Sequence, residues 1–393
     1  MNKITIKDVN YSGKKVIIRC DFNVPLDDNL NITDDLRIVS ALPTIKYVLG
    51  QGASKVILMS HMGRPKGEVI ESERLTPVAK RLEELLGQKV LKLDDCVGDK
   101  VKAAIAASKE KVVVLENLRF HKGETKNDPA FAKQLAELAD LYVNDAFGSA
   151  HRAHASTEGI TQFLPAAAGF LLEKEIEFLS KAVESPEKPF AVILGGAKVS
   201  SKIALIENIL PKADTVVIGG GMAYTFLKAQ GISIGKSLLE EESIPLAKDI
   251  LAKAKTLGVE VVLPCDYMVA QEFDKPEGCH VVSGNIPDGW EGVDIGPKSQ
   301  EAFKKALAKS KMIVWNGPVG VFEVDAFSAG TKALAEYVSK LDAVSIVGGG
   351  DTAAAVKKFG LEEGMTHIST GGGASLELLE GKELPGVAAI KNK

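Results

Sequence analysis

Short runs of Val, Ile, Leu and Ala recur along the chain, separated by stretches whose apolar residues return at helical spacing. The continuous runs predict strands at Val16–Cys20, Lys55–Ser60, Val112–Glu116 and Leu141–Asp145 in the first half. In the second half they predict strands at Phe190–Leu194, Thr215–Ile218, Glu260–Pro264, Met312–Asn316, Ala343–Val347 and Thr366–Ser369. The periodic stretches predict helices over Leu36–Leu49, Leu75–Leu86, Ala130–Leu138, Leu171–Val183, Ile203–Ile209, Lys332–Leu341 and Thr352–Phe359. Strands apolar on both faces that alternate with helices belong to parallel sheets covered on both sides. The expected fold is α/β, two doubly wound, Rossmann-like parallel-sheet domains joined by a hinge helix.

The break between them falls at Glu184–Pro189, where two prolines and three charges separate a helix from a strand. That gives a first domain over residues 1–170, a connecting helix and linker over 171–189, and a second domain from residue 190. At 393 residues there is room for two cores.

Composition narrows the function. Net charge is −4, from 48 basic and 52 acidic side chains, so a nucleic-acid or anionic-membrane surface is not expected. The four cysteines are scattered, which reads as reduced thiols in a cytoplasmic protein. No apolar run approaches the ~20 residues that span a bilayer. Phosphate-binding chemistry therefore has to concentrate positive charge locally.

It does so near the midpoint, at Gly195-Gly-Ala-Lys198-Val-Ser-Ser-Lys202-Ile203. A strand feeds two glycines, then two lysines four residues apart where a helix should begin, stacked on one helical face. Free amides at such a turn, with two cations, suit a phosphate whose charge changes during reaction. Glycine triplets at Gly219–Gly221, Gly348–Gly350 and Gly371–Gly373 close further strands, where open α/β sheets bind ligands. In the first half, Arg19-Cys-Asp21-Phe-Asn23, Ser60-His61-Met-Gly63-Arg64, Glu116-Asn-Leu-Arg119 and His151-Arg152 also follow strands, and Arg37 opens the first long helix. Arg37, His61, Arg64, Arg119 and Arg152 form a cationic set for a small phosphorylated acid, with Asp21 and Asn23 for its hydroxyls.

Other patterns weigh less. Gly231–Ser237 has three residues between its glycines where a P-loop has four, and reads as a surface loop. Gly348-x-Gly350-x-x-Ala353 fits a dinucleotide fingerprint, but the next strand ends in Ser369-Thr370 with no acid for a ribose. An NAD-dependent dehydrogenase is thus the weaker alternative, and a non-catalytic anion-binding module is disfavoured by net charge. Asp351 either caps a helix or holds the Mg2+ of a nucleotide. His151 and His154 lack a third metal ligand, and Cys20 lacks a histidine base.

Together the segments resemble phosphoglycerate kinases over nearly the whole chain, in order. The motifs are Arg-x-Asp-Phe-Asn-Val-Pro, Ser-His-x-Gly-Arg-Pro, Glu-Asn-Leu-Arg-Phe, Ala-His-Arg-Ala-His, Gly-Gly-Ala-Lys-Val-x-x-Lys-Ile, Val-Trp-Asn-Gly-Pro-x-Gly-Val-Phe-Glu, Gly-Gly-Gly-Asp-Thr and Thr-Gly-Gly-Gly-Ala-Ser. The resemblance implies reversible, in-line phosphoryl transfer from 1,3-bisphosphoglycerate to MgADP, giving 3-phosphoglycerate and MgATP. It assigns Asp21, Asn23, Arg37, His61, Arg64, Arg119 and Arg152 to the acid. Lys202, Gly292, Glu323, Gly349, Gly350, Asp351 and Thr352 go to the nucleotide, with Asp351 on Mg2+. Arg37, Lys198, Lys202 and the amides of Gly372 and Gly373 are implied to stabilise the transferring group. The resemblance further implies a monomer, domain closure about a hinge, and a C-terminal segment, 374–393, that returns to a first domain binding the acid while the second, 190–373, binds the nucleotide.

Overall fold

The computed structural model describes residues 2–393. By packing, the chain divides into two compact units: unit 1 runs to Glu177 and takes up Glu383–Lys393, and unit 2 is Phe178–Lys382.

Unit 1 is built on six parallel strands, β1 (Lys15–Arg19), β2 (Lys55–Met59), β3 (Val90–Lys92), β4 (Val112–Val114), β5 (Leu141–Asn144) and β6 (Ala166–Ala168). Their order is β3-β4-β2-β1-β5-β6. Alternate residues serve opposite faces. Val16, Ile18, Val56, Leu58, Val112 and Val114 pack with Ile38 and Ile45 of α1 (Leu36–Gly50) and Val78 and Leu82 of α2 (Thr76–Leu86). Ile17, Ile57, Val113 and Tyr142 face the other way, against Val101 and Ile105 of α3 (Asp99–Ala107). After the short α4 (Lys122–Thr125), Phe131 and Leu135 of α5 (Pro129–Ala136) complete that layer. Each such fully buried aliphatic contributes ~1.5–3 kcal/mol, and truncating Ile57 to Ala costs ~2–5 kcal/mol. Asp128 starts α5 by accepting from the Ala130 and Phe131 amides, with Pro129 at the first helical position.

The chain leaves unit 1 through α6 (Phe170–Glu184), whose first amides, of Leu171 and Leu172, donate to Asp145 Oδ1 at 2.9 and 3.2 Å. Unit 2 opens with β7 (Phe190–Leu194), α7 (Ile203–Ile209), β8 (Thr215–Ile218), α8 (Gly221–Ala229), α9 (Ile244–Leu257) and β9 (Glu260–Val262). Then come β10 (Asp266–Ala270), β11 (His280–Ser283), β12 (Glu291–Ile295), α10 (Pro297–Leu307), β13 (Met312–Asn316), α11 (Ala329–Val338), β14 (Val344–Gly348), α12 (Gly350–Lys358) and β15 (His367–Ile368). The parallel sheet has the order β15-β14-β13-β7-β8-β9, so β7 and β13 are the pair at which the winding reverses. Ile193, Val217, Ile313, Trp315 and Val347 pack one face against Phe303, Leu307, Leu334, Val338 and Val356.

α13 (Gly373–Leu379) stays in unit 2, where Asn208 Nδ2 donates to Leu379 O at 2.7 Å. The last residues, with α14 (Pro385–Ala388), belong to unit 1: Gly386 N donates to Ala150 O at 2.8 Å, and Lys3 Nζ to Ile390 O at 2.7 Å.

The two doubly wound parallel sheets agree with the expectation from sequence. A second sheet in unit 2, β11-β10-β12, is antiparallel and was not expected. Among the described residues no helix is long and apolar enough to cross a membrane.

Candidate functional site

In unit 1 the polar residues that follow β1, β2, β4 and β5 meet at the carboxyl-terminal rim of the sheet. Arg19, the last residue of β1, is wholly buried. Its Nε donates to Ser156 Oγ at 2.8 Å, Nη1 to Cys20 O, and Nη2 to His61 Nδ1 at 3.0 Å. Because a guanidinium can only donate, Nδ1 is the acceptor and the proton of neutral His61 sits on Nε2. Burial, then the charge of Arg19, then that of Arg119, hold the His61 pKa well below its ordinary value. His61 is therefore neutral at pH 7, with Nδ1 occupied by Arg19 and Nε2–H as its donor.

Asp21, Asn23 and Arg37 are joined directly: Arg37 Nη1 donates to Asp21 Oδ1 at 3.0 Å and to Asn23 O at 3.1 Å. Asn23 Oδ1 accepts from Gly63 N at 2.9 Å, and Gly63 O accepts from Arg119 Nη1 at 2.7 Å. Asn117 orients this segment, taking the Arg119 amide on its side-chain oxygen and donating to Met62 O and Glu73 O. Burial lowers the Arg119 pKa to about 10, with Arg19 and Arg152 adding to the effect, so it stays charged at neutral pH. Arg152 Nε lies 3.1 Å from His151 Nε2. Arg64 is exposed, with its backbone amide 3.4 Å from Glu73 Oε1.

Beneath these arginines lies Glu124, fully buried, with Oε1 accepting from Ser156 Oγ at 2.7 Å. Burial raises its pKa, against the opposing pull of Arg19. His154 Nδ1 is 3.7 Å from Glu124 Oε1, yet burial and the nearby arginines push its pKa down to about 4. The contact is thus not an ion pair at neutral pH. Among the described residues, neither His151 nor His154 belongs to a cluster of metal-ligand type.

In unit 2 the candidate groups gather where the winding reverses. Gly195 N donates to Asn316 O at 3.0 Å, tying the ends of β7 and β13. A Cβ on Gly195 would stand 2.1 Å from Pro318 O, so only glycine lets the two turns close. Lys202 Nζ donates to Asn316 Oδ1, and Gly317 N donates to Thr352 Oγ1 at 2.7 Å. Thr352 is buried and Asp351 exposed, in the first turn of α12. Burial lowers the Lys202 pKa, while Asp351 and Glu380 oppose that shift. Gly372, with φ +50°, and Gly373 form the turn into α13.

The two lysines do not share a helical face. The α-helix begins only at Ile203, after a 3-10 turn over Ser200–Lys202, which leaves Lys198 exposed and Lys202 half-buried. Ser200, whose Oγ and amide bond the Glu240 carboxylate, holds the chain in that tighter turn.

Gly292 lies on β12, in the antiparallel sheet; its amide donates to Ser237 Oγ at 2.9 Å, and the Tyr224 ring fills the space a side chain would need. The Glu323 side chain is exposed, and its carbonyl accepts from Lys358 Nζ at 3.2 Å. The dinucleotide-like turn does join β14 to α12, with Gly349 at φ +89°, but β15 has two residues and no acid at its end.

Sequence reasoning overlooked Arg19, Asn117 and Asn316 as site residues. All three stand inside the quoted motifs; what hid their roles is that each acts by bonding another chain segment.

The phosphoglycerate kinase family model matches residues 6–382. A phosphoglycerate kinase of Moorella thermoacetica is 58% identical over the full length of both chains. One of Acaryochloris marina is 57% identical over 99% of each. The solved structure of phosphoglycerate kinase from Coxiella burnetii, 44% identical, superposes with a TM-score of 0.89 over 98% of both chains. That from Pyrococcus horikoshii OT3, 33% identical, superposes at 0.84 over 98% of both chains. Motifs, fold and relatives agree, and the chain belongs to the phosphoglycerate kinase family.

Proposed function

We propose that the chain carries out the reaction for which its family is named, moving a phosphoryl group reversibly between the acyl phosphate of 1,3-bisphosphoglycerate and MgADP. The observation that carries this reading is that unit 1 holds a cationic site with a neutral His61, and unit 2 an amide- and lysine-lined turn. The nucleophile of the reverse reaction is a carboxylate, ionised at neutral pH, so no general base is needed. A neutral His61 suits that requirement. Catalysis is then positioning plus stabilisation of charge on a loose phosphoryl group.

In this reading Arg37, Arg64, Arg119, Arg152 and His61 take the phosphate and carboxylate of the acid, and Asp21 and Asn23 its hydroxyls. Gly292, Glu323, Gly349, Gly350 and Thr352 hold the nucleotide with Lys202. Mg2+ enters with the nucleotide, neutralising phosphate charge; the exposed Asp351 carboxylate, a hard oxygen donor, fits that ion. Arg37, Lys198, Lys202 and the amides of Gly372 and Gly373 face the charge that develops during transfer. Hinge closure, a property of the family, excludes water that would hydrolyse the acyl phosphate. The reading places the acid on 1–170 with the returning C-terminus and the nucleotide on 190–373, in a cytoplasmic monomer.

The test is ADP formation from MgATP by the purified protein. The reading predicts ADP that depends on added 3-phosphoglycerate and on Mg2+. A folded protein that binds MgATP but forms no ADP under those conditions refutes it.

A further inference from the structure

Three side chains outside both candidate sites meet on unit 1. Asp95 and Cys96 lie in the loop after β3, and His121 immediately precedes α4. Each offers one ligand atom, and the three atoms lie within 4.8 Å of one another. His121 and Asp95 already touch, with Nε2 2.7 Å from Oδ1. Cys96 is buried, His121 half-buried and Asp95 exposed, so the thiol forms the floor of the cluster and the other two its mouth.

A thiol, an imidazole and a carboxylate together match the preferences of a borderline-soft divalent cation. Mg2+ and Ca2+, which take oxygen ligands, do not suit this set. We propose that Asp95, Cys96 and His121 bind a divalent cation of the Zn2+ class, with three protein ligands and a fourth position open to water.

The surroundings favour the ion. A tetrahedral ion with bonds of ~2.0–2.3 Å holds its ligand atoms roughly 3.3–3.8 Å apart, so His121 Nε2 and Asp95 Oδ1, now 2.7 Å apart, part to admit it, while any separation nearer the 4.8 Å limit closes by about 1 Å. The His121 ring is stacked on Phe131, with centroids 5.2 Å apart, and the Cys96 amide donates to Asp95 Oδ1 at 2.7 Å; both contacts orient ligands before any ion arrives. On binding, the thiol releases one proton to solvent as the sulfur–metal bond forms, and no electrons change hands.

Co2+ serves as the spectroscopic probe. The whole chain is used with Cys265→Ser and Cys279→Ser, which removes the thiols that are exposed or partly so. The expected result is one equivalent of Co2+ with a thiolate-to-cobalt charge-transfer band and tetrahedral d–d bands, displaced by Zn2+. Asp95→Asn and His121→Ala, both at the mouth, should weaken Co2+ binding at least 10- to 100-fold, the range seen even for outer-shell losses. Cys96→Ser should abolish the charge-transfer band; should that variant fail to fold, the other two decide. In the parent protein Zn2+ should raise the unfolding temperature, and in His121→Ala it should not. Absence of the charge-transfer band in the parent, or Co2+ binding unchanged in His121→Ala and Asp95→Asn, overturns the proposal.

Discussion

Arg19→Met tests the idea that a single buried guanidinium organises the unit 1 site. Methionine fills similar space but donates nothing. It leaves Ser156 Oγ, Cys20 O and His61 Nδ1 without the donor they share, and it takes the counter-charge from buried Glu124. Removing one member of a buried charged network costs ~3–5 kcal/mol. That is a large part of the ~5–15 kcal/mol that holds a domain together. Native-state amide exchange of β1 and β5 reads the change directly. At 1.4 kcal/mol per factor of ten, exchange should quicken by roughly two to three and a half powers of ten. His61 supplies an independent reading by NMR titration. Burial is the first cause of its depressed pKa and Arg19 the second, so the midpoint should rise in the variant yet remain below that of a free histidine. Arg19→Lys, which keeps the charge but loses the forked donors, should fall between the two. Exchange in β1 and β5 within about tenfold of the parent would mean that Arg19 is not the organising group.

Lys198→Ala removes an exposed cation assigned to the transferring group; both substrates should bind within a few-fold of normal while kcat falls about a hundredfold, and isothermal titration showing lost MgATP binding would contradict that role. Gly195→Ala drives a Cβ into Pro318 O, 2.1 Å away, and should cost ~1–3 kcal/mol in thermal unfolding together with a raised KM for MgATP; an unchanged melting profile counts against the tight approach of these turns. Asp294, 2% exposed, has its pKa raised by burial to about 8. Since an unfolded Asp titrates near ~4, the native state holds the extra proton between those values, and stability falls as pH rises through that window. Asp294→Asn should remove this slope, so that its melting temperature gains on the parent more at pH 8 than at pH 5; parallel profiles refute the assignment.

The parts of the fold legible in the sequence were those with strong, unmixed signals. β7 and β13, apolar on both faces and buried at every position, coincide with the expected strands, as does α7. The edge strands β3 and β6 escaped notice because Val-Leu-Lys and three alanines carry little strand signal; neighbours supply it through pairing with β4 and β5. The antiparallel β10–β12 sheet mixes Asp, His, Met and Gly into its strands and was invisible for the same reason. Within the site, Asp21, Asn23, Arg37, His61 and Arg119 were singled out by residue type; hydrogen bonds through Gly63 connect Asp21, Arg37, Asn23 and Arg119, while His61 is held separately by Arg19. Arg19 was quoted but given no role, because a buried arginine looks from sequence like any other charge until its acceptors on Ser156 and His61 are known. The lysine pair misled through the spacing rule itself: four residues align on one face only inside an α-helix, and a 3-10 turn over Ser200–Lys202 precedes this one.

Membership of the phosphoglycerate kinase family implies that this chain makes and consumes an acyl phosphate. Purified protein with MgATP, 3-phosphoglycerate and hydroxylamine tests it, because hydroxylamine converts an acyl phosphate to a hydroxamate. Hydroxamate should form only when MgATP and 3-phosphoglycerate are both present, and none should form once Mg2+ is chelated. A folded protein that binds both substrates and yields no hydroxamate contradicts it.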